Sequence, residues 1–294
     1  MYLTEEQVAD LLTPGDAFAA VEASFARLAR GSIDNPARVR AKVPGGDFAV
    51  MPCVDRELGY AGLKSFVWLP GGTPFVVVLF SIEKARLEAV IEAELLGQLR
   101  TAAASAVAAT RLARPGSRTL GVVGTGRQAA AHIAALRDAI PGLEHVLVAG
   151  RDADRLTRFC DEHDCDAATA EAAARCDIVV TVTTATAPVV RGEWLTPGAT
   201  VIGVGANDPS MRELDDAVLE RAAFVCCDSR AQSQLEAGDL IDPVAHGVLA
   251  WTDVHELQDV HVRRDDDSIV VFKSNGLAAW DLAVAARVVE LARL

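Results

Sequence analysis

The feature that most constrains the fold is an alternation of apolar strands and helices that begins near residue 117. Five apolar segments with strand character follow one another: residues 119–123, 146–149, 178–181, 200–204 and 223–227. Predicted helices at residues 126–140 and 152–163 separate the first three of them. Such alternation is typical of parallel βαβ units. We therefore predict the α/β fold class, with a Rossmann-type doubly wound parallel sheet over residues 116–275.

A glycine-rich loop joins the first of these strands to the first helix, with the sequence Gly124-Thr125-Gly126-Arg127-Gln128. The first glycine permits a tight turn, and the second lets the backbone approach a pyrophosphate at the helix N-terminus. Ala129 stands where the usual fingerprint has a third glycine, and it still allows close helix–strand packing. An ordinary glycine turn is the alternative. The strand before the loop and the helix after it favour dinucleotide binding by residues 124–128.

The end of the second strand bears on the choice of cofactor. NAD enzymes usually place an acidic residue there to hold the ribose diol, but here Gly150 and Arg151 follow Ala149. A guanidinium suits a 2′-phosphate through its charge and its paired donors. We therefore favour NADP(H) over NAD(H), with Arg151 in the cofactor site. The alternative is a solvated Arg151 beside an N-capping Asp152.

Residues 38–92 have a different character, with short apolar runs broken by turn sequences, which indicates an antiparallel sheet. A helix is predicted at residues 94–114, and a strand at 268–272 precedes a final helix at 277–294. That strand has no obvious partner in the second domain, and we expect the last stretch to return to the first. The predicted domains are residues 1–115 with 276–294, an α+β substrate-binding and dimerisation domain, and residues 116–275. A homodimer through the strand-rich segment would cover its exposed sheet.

Three cations of the first domain lie among apolar or small residues: Arg38, Lys64 and Arg100. A cation in such surroundings is costly unless it meets an anion. A substrate carboxylate would serve, although each of them could instead be a surface charge or part of an internal ion pair.

Composition excludes other classes of function. A formal charge of −13 argues against nucleic-acid binding, and no apolar run reaches the roughly 18 residues that span a membrane. Six cysteines without disulfide-framework spacing and an N-terminus without a basic signal region predict a cytoplasmic protein. Cys160, His163 and Cys165 lack a distant second pair of ligands, so no metal site is expected. His132 is expected at the surface.

Taken together, the sequence resembles the ornithine cyclodeaminase/mu-crystallin family over nearly its whole length. The matching pieces are residues 36–38, 51–52, 62–64, 99–106, 124–129, 205–209, 212–215 and 272–276, with Asp281. The resemblance implies a homodimer with a substrate domain and a Rossmann domain. It also implies that Arg38, Lys64 and Arg100 bind the substrate carboxylate and the reacting centre.

The same resemblance implies that Thr183, Thr184 and Gly205 line the cofactor, and that Asn207 belongs to the catalytic set with Lys64 and Arg100. Two positions depart from the family pattern. Asn207 stands where cyclodeaminases carry an aspartate, and an amide cannot accept that proton. Gly97 stands where a threonine is common.

These departures favour a reductive enzyme of the family, one that delivers hydride from NADPH to a cyclic ketimine carboxylate. A protonated imine already carries its proton, so orientation matters more than a strong base. An alanine-dehydrogenase-like reaction on a small amino acid is second, and ornithine cyclodeamination is third. A non-catalytic, NADP-binding mu-crystallin-like protein is the alternative from another class.

Overall fold

The computed structural model describes residues 1–260 and 267–294. The strands in those residues are β1 (Tyr2–Leu3), β2 (Ile33–Asp34), β3 (Val39–Val43), β4 (Gly46–Asp55), β5 (Tyr60–Trp68), β6 (Phe75–Ser81), β7 (Arg86–Glu92), β8 (Thr119–Val123), β9 (His145–Ala149), β10 (Asp166–Ala167), β11 (Ile178–Thr181), β12 (Thr200–Gly203), β13 (Ala222–Cys227), β14 (Val254–Glu256) and β15 (Ile269–Lys273). The helices are α1 (Glu5–Leu11), α2 (Pro14–Ala29), α3 (Glu94–Leu112), α4 (Arg127–Ala139), α5 (Ala153–His163), α6 (Ala170–Ala174), α7 (Asp216–Arg221), α8 (Arg230–Glu236), α9 (Gly238–Ala245) and α10 (Ala278–Leu291).

The chain forms two compact units, residues 1–104 with 276–294 (unit 1) and residues 105–275 (unit 2). The division falls inside α3, whereas the sequence-based boundary at residue 115 lies just after that helix. The closing helix α10 belongs to unit 1.

Unit 1 contains a seven-stranded sheet in the order β1-β7-β6-β5-β4-β2, with β3 also paired to β4. Its long strands are antiparallel, and alternate residues of β4 are buried, from Ala49 to Asp55. The inner face of the sheet packs on α10, which in turn packs on α2. Phe25 of α2 and Trp280 of α10 meet with ring centroids 5.2 Å apart, and both are fully buried. This inner face carries Lys64 of β5 toward α10.

Local sequence explains where α2 begins. Thr13 caps it by accepting a hydrogen bond from the backbone of Asp16, whose side chain accepts one from the Thr13 backbone in return. Pro14 takes the first helical position, where a missing N–H costs nothing.

Unit 2 contains an eight-stranded parallel sheet in the order β10-β9-β8-β11-β12-β15-β13-β14. The fold-class prediction is therefore confirmed. Its central strands β8, β11 and β12 are buried almost throughout, as expected for a sheet covered on both faces.

The expectation that the strand near residue 270 lacks a partner in this unit was wrong. It is β15, and it lies between β12 and β13 in the middle of the sheet. Hydrophobic periodicity predicts that a strand exists, but it does not give the position of that strand in a sheet built by crossovers. Among the described residues, no helix combines the length and the apolar character needed to cross a membrane.

Candidate functional site

Two of the three sequence-predicted cations of unit 1 meet at one buried carboxylate. Asp281, in the first turn of α10, accepts a hydrogen bond from Arg100 Nε at 2.8 Å, and Lys64 Nζ lies 3.1 Å from the same oxygen, Oδ1. All three side chains are at least nine-tenths buried. The internal ion pair that the sequence left open is thus present, although sequence reasoning gave Asp281 no role.

Two glycines leave room for these cations. Gly276 has φ +83°, and a Cβ there would lie 2.6 Å from Arg100 Nη1. A Cβ at Gly97 of α3 would lie 3.2 Å from Lys64 Nζ. The glycine that departs from the family pattern therefore lies directly beside the Lys64 ammonium.

The charges of this cluster do not balance, because two cations share one carboxylate. Burial, with the like charges of Arg100 and Arg38, lowers the pKa of Lys64 from 10.5 to about 8, against the opposing charge of Asp281. Arg100 Nη1 and Asp281 Oδ2 are buried without a hydrogen-bond partner in the described part of the chain. A desolvated site with excess positive charge and an unused guanidinium donor is suited to a small carboxylate.

Aromatic rings flank each cation. The Lys64 ammonium lies 5.0 Å from the centre of the Phe75 ring, and the Arg100 guanidinium lies 5.9 Å from that of Trp280. Arg38 is half-buried, 5.8 Å from the Phe66 ring, and close enough to lower the pKa of Lys64. The fold thus gathers all three predicted cations in unit 1.

In unit 2, the glycine-rich loop has the shape that a dinucleotide requires. Gly124 has φ +132°, and a Cβ there would lie 2.8 Å from the Val182 carbonyl oxygen, so no other residue fits. Gly126 precedes α4, and no side chain caps that helix end. The positive end of the α4 dipole therefore lies at this loop, where it would favour a phosphate. Ala129 is fully buried in the first turn, as its packing role predicts.

The turn after β9 carries the residues that bear on the 2′-position of the adenosine ribose of a dinucleotide. A Cβ at Gly150 would lie 2.7 Å from Thr125 Cγ2, and Arg151 beside it is exposed. Asp152 does cap α5, by accepting a hydrogen bond from the Arg155 backbone. The Arg155 side chain donates to the Thr125 carbonyl at 3.1 Å, which brings a second guanidinium to the loop. Sequence reasoning missed Arg155, although its position four residues after Arg151 was a usable signal.

The strand order places β9 on one side of β8, and β11 and β12 on the other. Thr183, Thr184, Gly205 and Asn207 follow the carboxyl ends of these last two strands. Thr184 and Asn207 are exposed. The Asp208 carboxylate accepts hydrogen bonds from the Ser210 backbone and hydroxyl, so it is engaged within its own turn.

The prediction that His132 lies at the surface was wrong. It is fully buried in α4, with Nε2 2.9 Å from Ser105 Oγ and Nδ1 2.7 Å from the Gln128 carbonyl. Burial lowers its pKa to about 4, so the ring is neutral and links α3 to the first turn of α4. Within the residues described, no group of three or more potential metal ligands comes together.

Comparison with known proteins adds an independent finding. The family model of the ornithine cyclodeaminase/mu-crystallin family matches residues 1–293. Delta(1)-pyrroline-2-carboxylate reductase of Paracoccus denitrificans is 35% identical over 80% of both chains. The structure of the Thermococcus litoralis enzyme of that name, in complex with NADH and L-proline, superposes with a TM-score of 0.94 at 26% identity and covers 100% of this chain and 97% of that one. An archaeal alanine dehydrogenase dimer with bound NAD superposes with a TM-score of 0.93 at 33% identity, over 100% and 96% of the two chains. The chain belongs to the ornithine cyclodeaminase/mu-crystallin family.

Proposed function

We propose that this protein is an NADP(H)-dependent reductase of small cyclic imino acids, acting at the C–N bond of a ketimine carboxylate. The buried cluster of Lys64, Arg100 and Asp281 carries the proposal, because it combines excess positive charge with an unused guanidinium donor. The similarity to two pyrroline-2-carboxylate reductases supports the same substrate class.

Each cation of unit 1 has a distinct part in this proposal. Arg100 has its Nε bound to Asp281 and offers Nη1 to the substrate carboxylate. Arg38 adds a second positive charge. Lys64, protonated at neutral pH, can bind the carboxylate or hold a proton near the imine nitrogen. In unit 2, Asn207 offers an amide that can hydrogen-bond an amine or imine nitrogen but cannot take up its proton.

The residues of unit 2 fit a nicotinamide dinucleotide, since its glycine loop leaves the space that a pyrophosphate occupies. When bound in reduced form, the cofactor supplies the hydride. Gly124 to Gln128 would hold the pyrophosphate, and Thr183, Thr184 and Gly205 would contact the nicotinamide half. Arg151, with Arg155 beside it, favours the 2′-phosphate of NADP(H) over the free ribose of NAD(H).

The test is a screen of NADPH oxidation against five- and six-membered cyclic imino acids, and against 2-oxo acids with ammonia or methylamine. We expect turnover with the cyclic imines. Arg100→Ala is expected to lower kcat/KM at least about tenfold, which is roughly 1.4 kcal/mol of transition-state stabilisation, while NADPH affinity stays nearly constant.

Other outcomes of this screen identify the competing functions. Turnover confined to pyruvate with ammonia would indicate an alanine dehydrogenase, which the 33% identity to that enzyme makes the second candidate. Conversion of ornithine to proline by the unmodified protein would show that Asn207 does not prevent cyclodeamination. NADPH binding without turnover would indicate a non-catalytic binding protein.

We also propose that the protein is a homodimer formed through unit 1. Four apolar residues lie side by side on neighbouring strands β4 to β7 and form a row across the outer face of the sheet, Val54–Ala61–Phe80–Leu87. Phe80 and Leu87 are 43% and 52% exposed, and the similar alanine dehydrogenase is a dimer. A second copy of the chain would cover this face.

A further inference from the structure

Glu213 is a buried carboxylate that sequence reasoning did not assign, and it connects the loops after β11 and β12. Its carboxylate accepts five hydrogen bonds. Oε1 accepts two from Thr183, from the backbone N–H at 2.6 Å and from the hydroxyl at 2.8 Å. Oε2 accepts three, from the Thr181 hydroxyl at 2.9 Å and from the backbone N–H groups of Gly205 at 2.7 Å and Ala206 at 3.1 Å. The side chain is fully buried. One carboxylate oxygen thus binds each loop.

Glu213 is itself held in place. Its backbone N–H donates to Asp239 Oδ1 at 2.7 Å, and its carbonyl accepts hydrogen bonds from Val189 and Val190. Asp239 Oδ2 lies 3.4 Å from Lys273 Nζ, and Lys273 donates to the Gly203 carbonyl at the end of β12. The carboxylate is therefore fixed against the sheet before any ligand binds.

The two loops that Glu213 connects are packed closely against each other and against its carboxylate. A Cβ at Gly205 would lie 2.2 Å from the Thr183 carbonyl oxygen and 2.5 Å from Glu213 Oε1. The Thr183 hydroxyl donates to Glu213 and accepts from the Ala185 backbone, so its one proton is already used. Thr183 consequently offers a ligand its methyl group or a remaining lone pair, whereas the exposed Thr184 keeps its hydroxyl for a ligand.

A dinucleotide spans the crevice of such a sheet, with its pyrophosphate at the first βα turn. With the strand order of this sheet, the end of β9 on one side of β8 would receive the adenosine ribose, and the loops after β11 and β12 on the other side would receive the nicotinamide half. We propose that Glu213 is the positioning residue of the nicotinamide half, and that it controls the rate of hydride transfer rather than the affinity for the adenosine half. This inference rests on the proposed function.

The test compares Glu213→Gln with Asp177→Asn. Asp177 lies just before β11, at the amino end of that strand. Its carboxylate accepts hydrogen bonds from Arg114, from the Arg118 backbone, and from the backbone and hydroxyl of Thr119. Both substitutions remove the charge of a carboxylate that has several donors around it. In Glu213→Gln the amide has one acceptor oxygen in place of two, so backbone donors of one loop lose their partner.

Three quantities are measured: kcat with a cyclic imino acid, the fluorescence enhancement of NADPH on binding, and the Kd of 2′-phospho-ADP-ribose, which lacks the nicotinamide ring. For Glu213→Gln we expect kcat to fall about tenfold to a hundredfold, since misplacement of the reacting group by an ångström has that effect. The fluorescence enhancement falls with it, while the Kd of 2′-phospho-ADP-ribose stays within about threefold. Asp177→Asn is expected to lower Tm and leave all three quantities near wild type.

If Glu213→Gln does not fold, Thr181→Val removes one donor to the same carboxylate, from a fully buried residue outside the proposed cofactor contacts. It is expected to lower kcat and fluorescence enhancement in the same pattern, with Thr181→Ser, which keeps the hydroxyl, restoring both. A lowered Tm with unchanged kcat and fluorescence in these variants would show that Glu213 only stabilises the fold. If the wild type binds NADPH without turnover, the proposed function is wrong, and the fluorescence measurement alone still decides the role of Glu213.

Discussion

Lys64 and Arg100 share a single oxygen of Asp281, and this arrangement determines the chemistry of both cations. One carboxylate cannot neutralise two charges, so each cation retains attraction for a further anion. Burial brings the pKa of the Lys64 ammonium down to about 8. The affinity of the cluster for a carboxylate is therefore expected to depend on pH through Lys64.

The first prediction is that kcat/KM for imine reduction falls as the pH rises through about 8, where Lys64 loses its proton. Lys64→Arg keeps the charge at higher pH, so the part of the fall that comes from Lys64 should disappear. The measurement is the pH–rate profile of both proteins with the same imino acid, because deprotonation of the substrate affects both equally. Identical profiles would show that Lys64 does not titrate in this range.

The second prediction concerns stability. Asp281→Asn leaves two buried cations without a counter-charge, and breaking a buried ion pair in this way costs about 3–5 kcal/mol. The free energy of unfolding at neutral pH, measured with urea, should fall by that order. Asp10→Asn on the exposed face of α1 is the matched control, with an expected change within about 0.5 kcal/mol. A change as small as that of the control would show that the buried cations do not depend on Asp281 for stability.

Single residues could be predicted from sequence when their chemistry conflicts with their surroundings. Arg38, Lys64 and Arg100 stood out for this reason, and the fold brings them together. Asp281 and Glu213 matched the family pattern but received no role, because an acidic residue in an ordinary helix or loop carries no local sign of burial. Their partners lie far away in sequence, as with Arg100 and Asp281, which are 181 positions apart.

At the scale of elements, the turn between β9 and α5 carries the residues on which the proposed NADP(H) preference rests. A Cβ at Gly150 would lie 2.7 Å from the Thr125 methyl group, so an acidic side chain that holds a ribose diol would require Thr125 to move. Arg151 and Arg155 provide two guanidinium groups at the same turn, the second hydrogen-bonded to the phosphate loop. Two such groups would suit the 2′-phosphate of the proposed cofactor.

The third prediction is that Arg151→Ala weakens NADPH binding at least about tenfold and NADH binding less than about threefold, because only NADPH carries the additional phosphate. Arg158→Ala, an exposed arginine one turn further along α5 than Arg155, is the control for the loss of general positive charge. Titration of each cofactor by fluorescence measures all six affinities, those of the wild type and the two variants for NADPH and NADH. Equal losses for both cofactors would remove the basis for NADP(H) preference.

Elements were predictable where periodicity is strong. The strands β8, β9, β11, β12 and β13 and the loop before α4 lie where the sequence pattern placed them, to within one or two residues. The position of β15 was not predictable, because a strand added to a parallel sheet through crossovers has no sequence signal for its neighbours. His132 was misplaced for a related reason, since a histidine buried between two helices reads locally like one on a helix surface.

At the scale of the whole molecule, the sheet of unit 1 has two very different faces. The inner face holds Lys64 and packs on α10. The outer face carries the apolar row Val54–Ala61–Phe80–Leu87 and a second row, Pro52–Leu63–Val78–Val90. Phe80 and Leu87 are exposed and the other residues of the two rows are half-buried. A contiguous apolar face of this kind is typical of a protein contact surface. Contact with a second copy would remove it from water.

The last prediction follows from this asymmetry. Phe80→Asp places a charge in the middle of the outer face, where burial against a partner would leave it unpaired at a cost of several kcal/mol. The monomer has no such cost, because Phe80 is 43% exposed and a charge there stays hydrated. Light scattering at micromolar concentration should therefore give a dimer for the wild type and a monomer for Phe80→Asp, with unchanged circular dichroism. Leu235→Asp is the control. Leu235 is 60% exposed on α8 of unit 2, so the protein with this substitution should remain a dimer. A monomeric wild type would show that the proposed dimer does not form. Dissociation by Leu235→Asp but not by Phe80→Asp would show that the interface lies elsewhere.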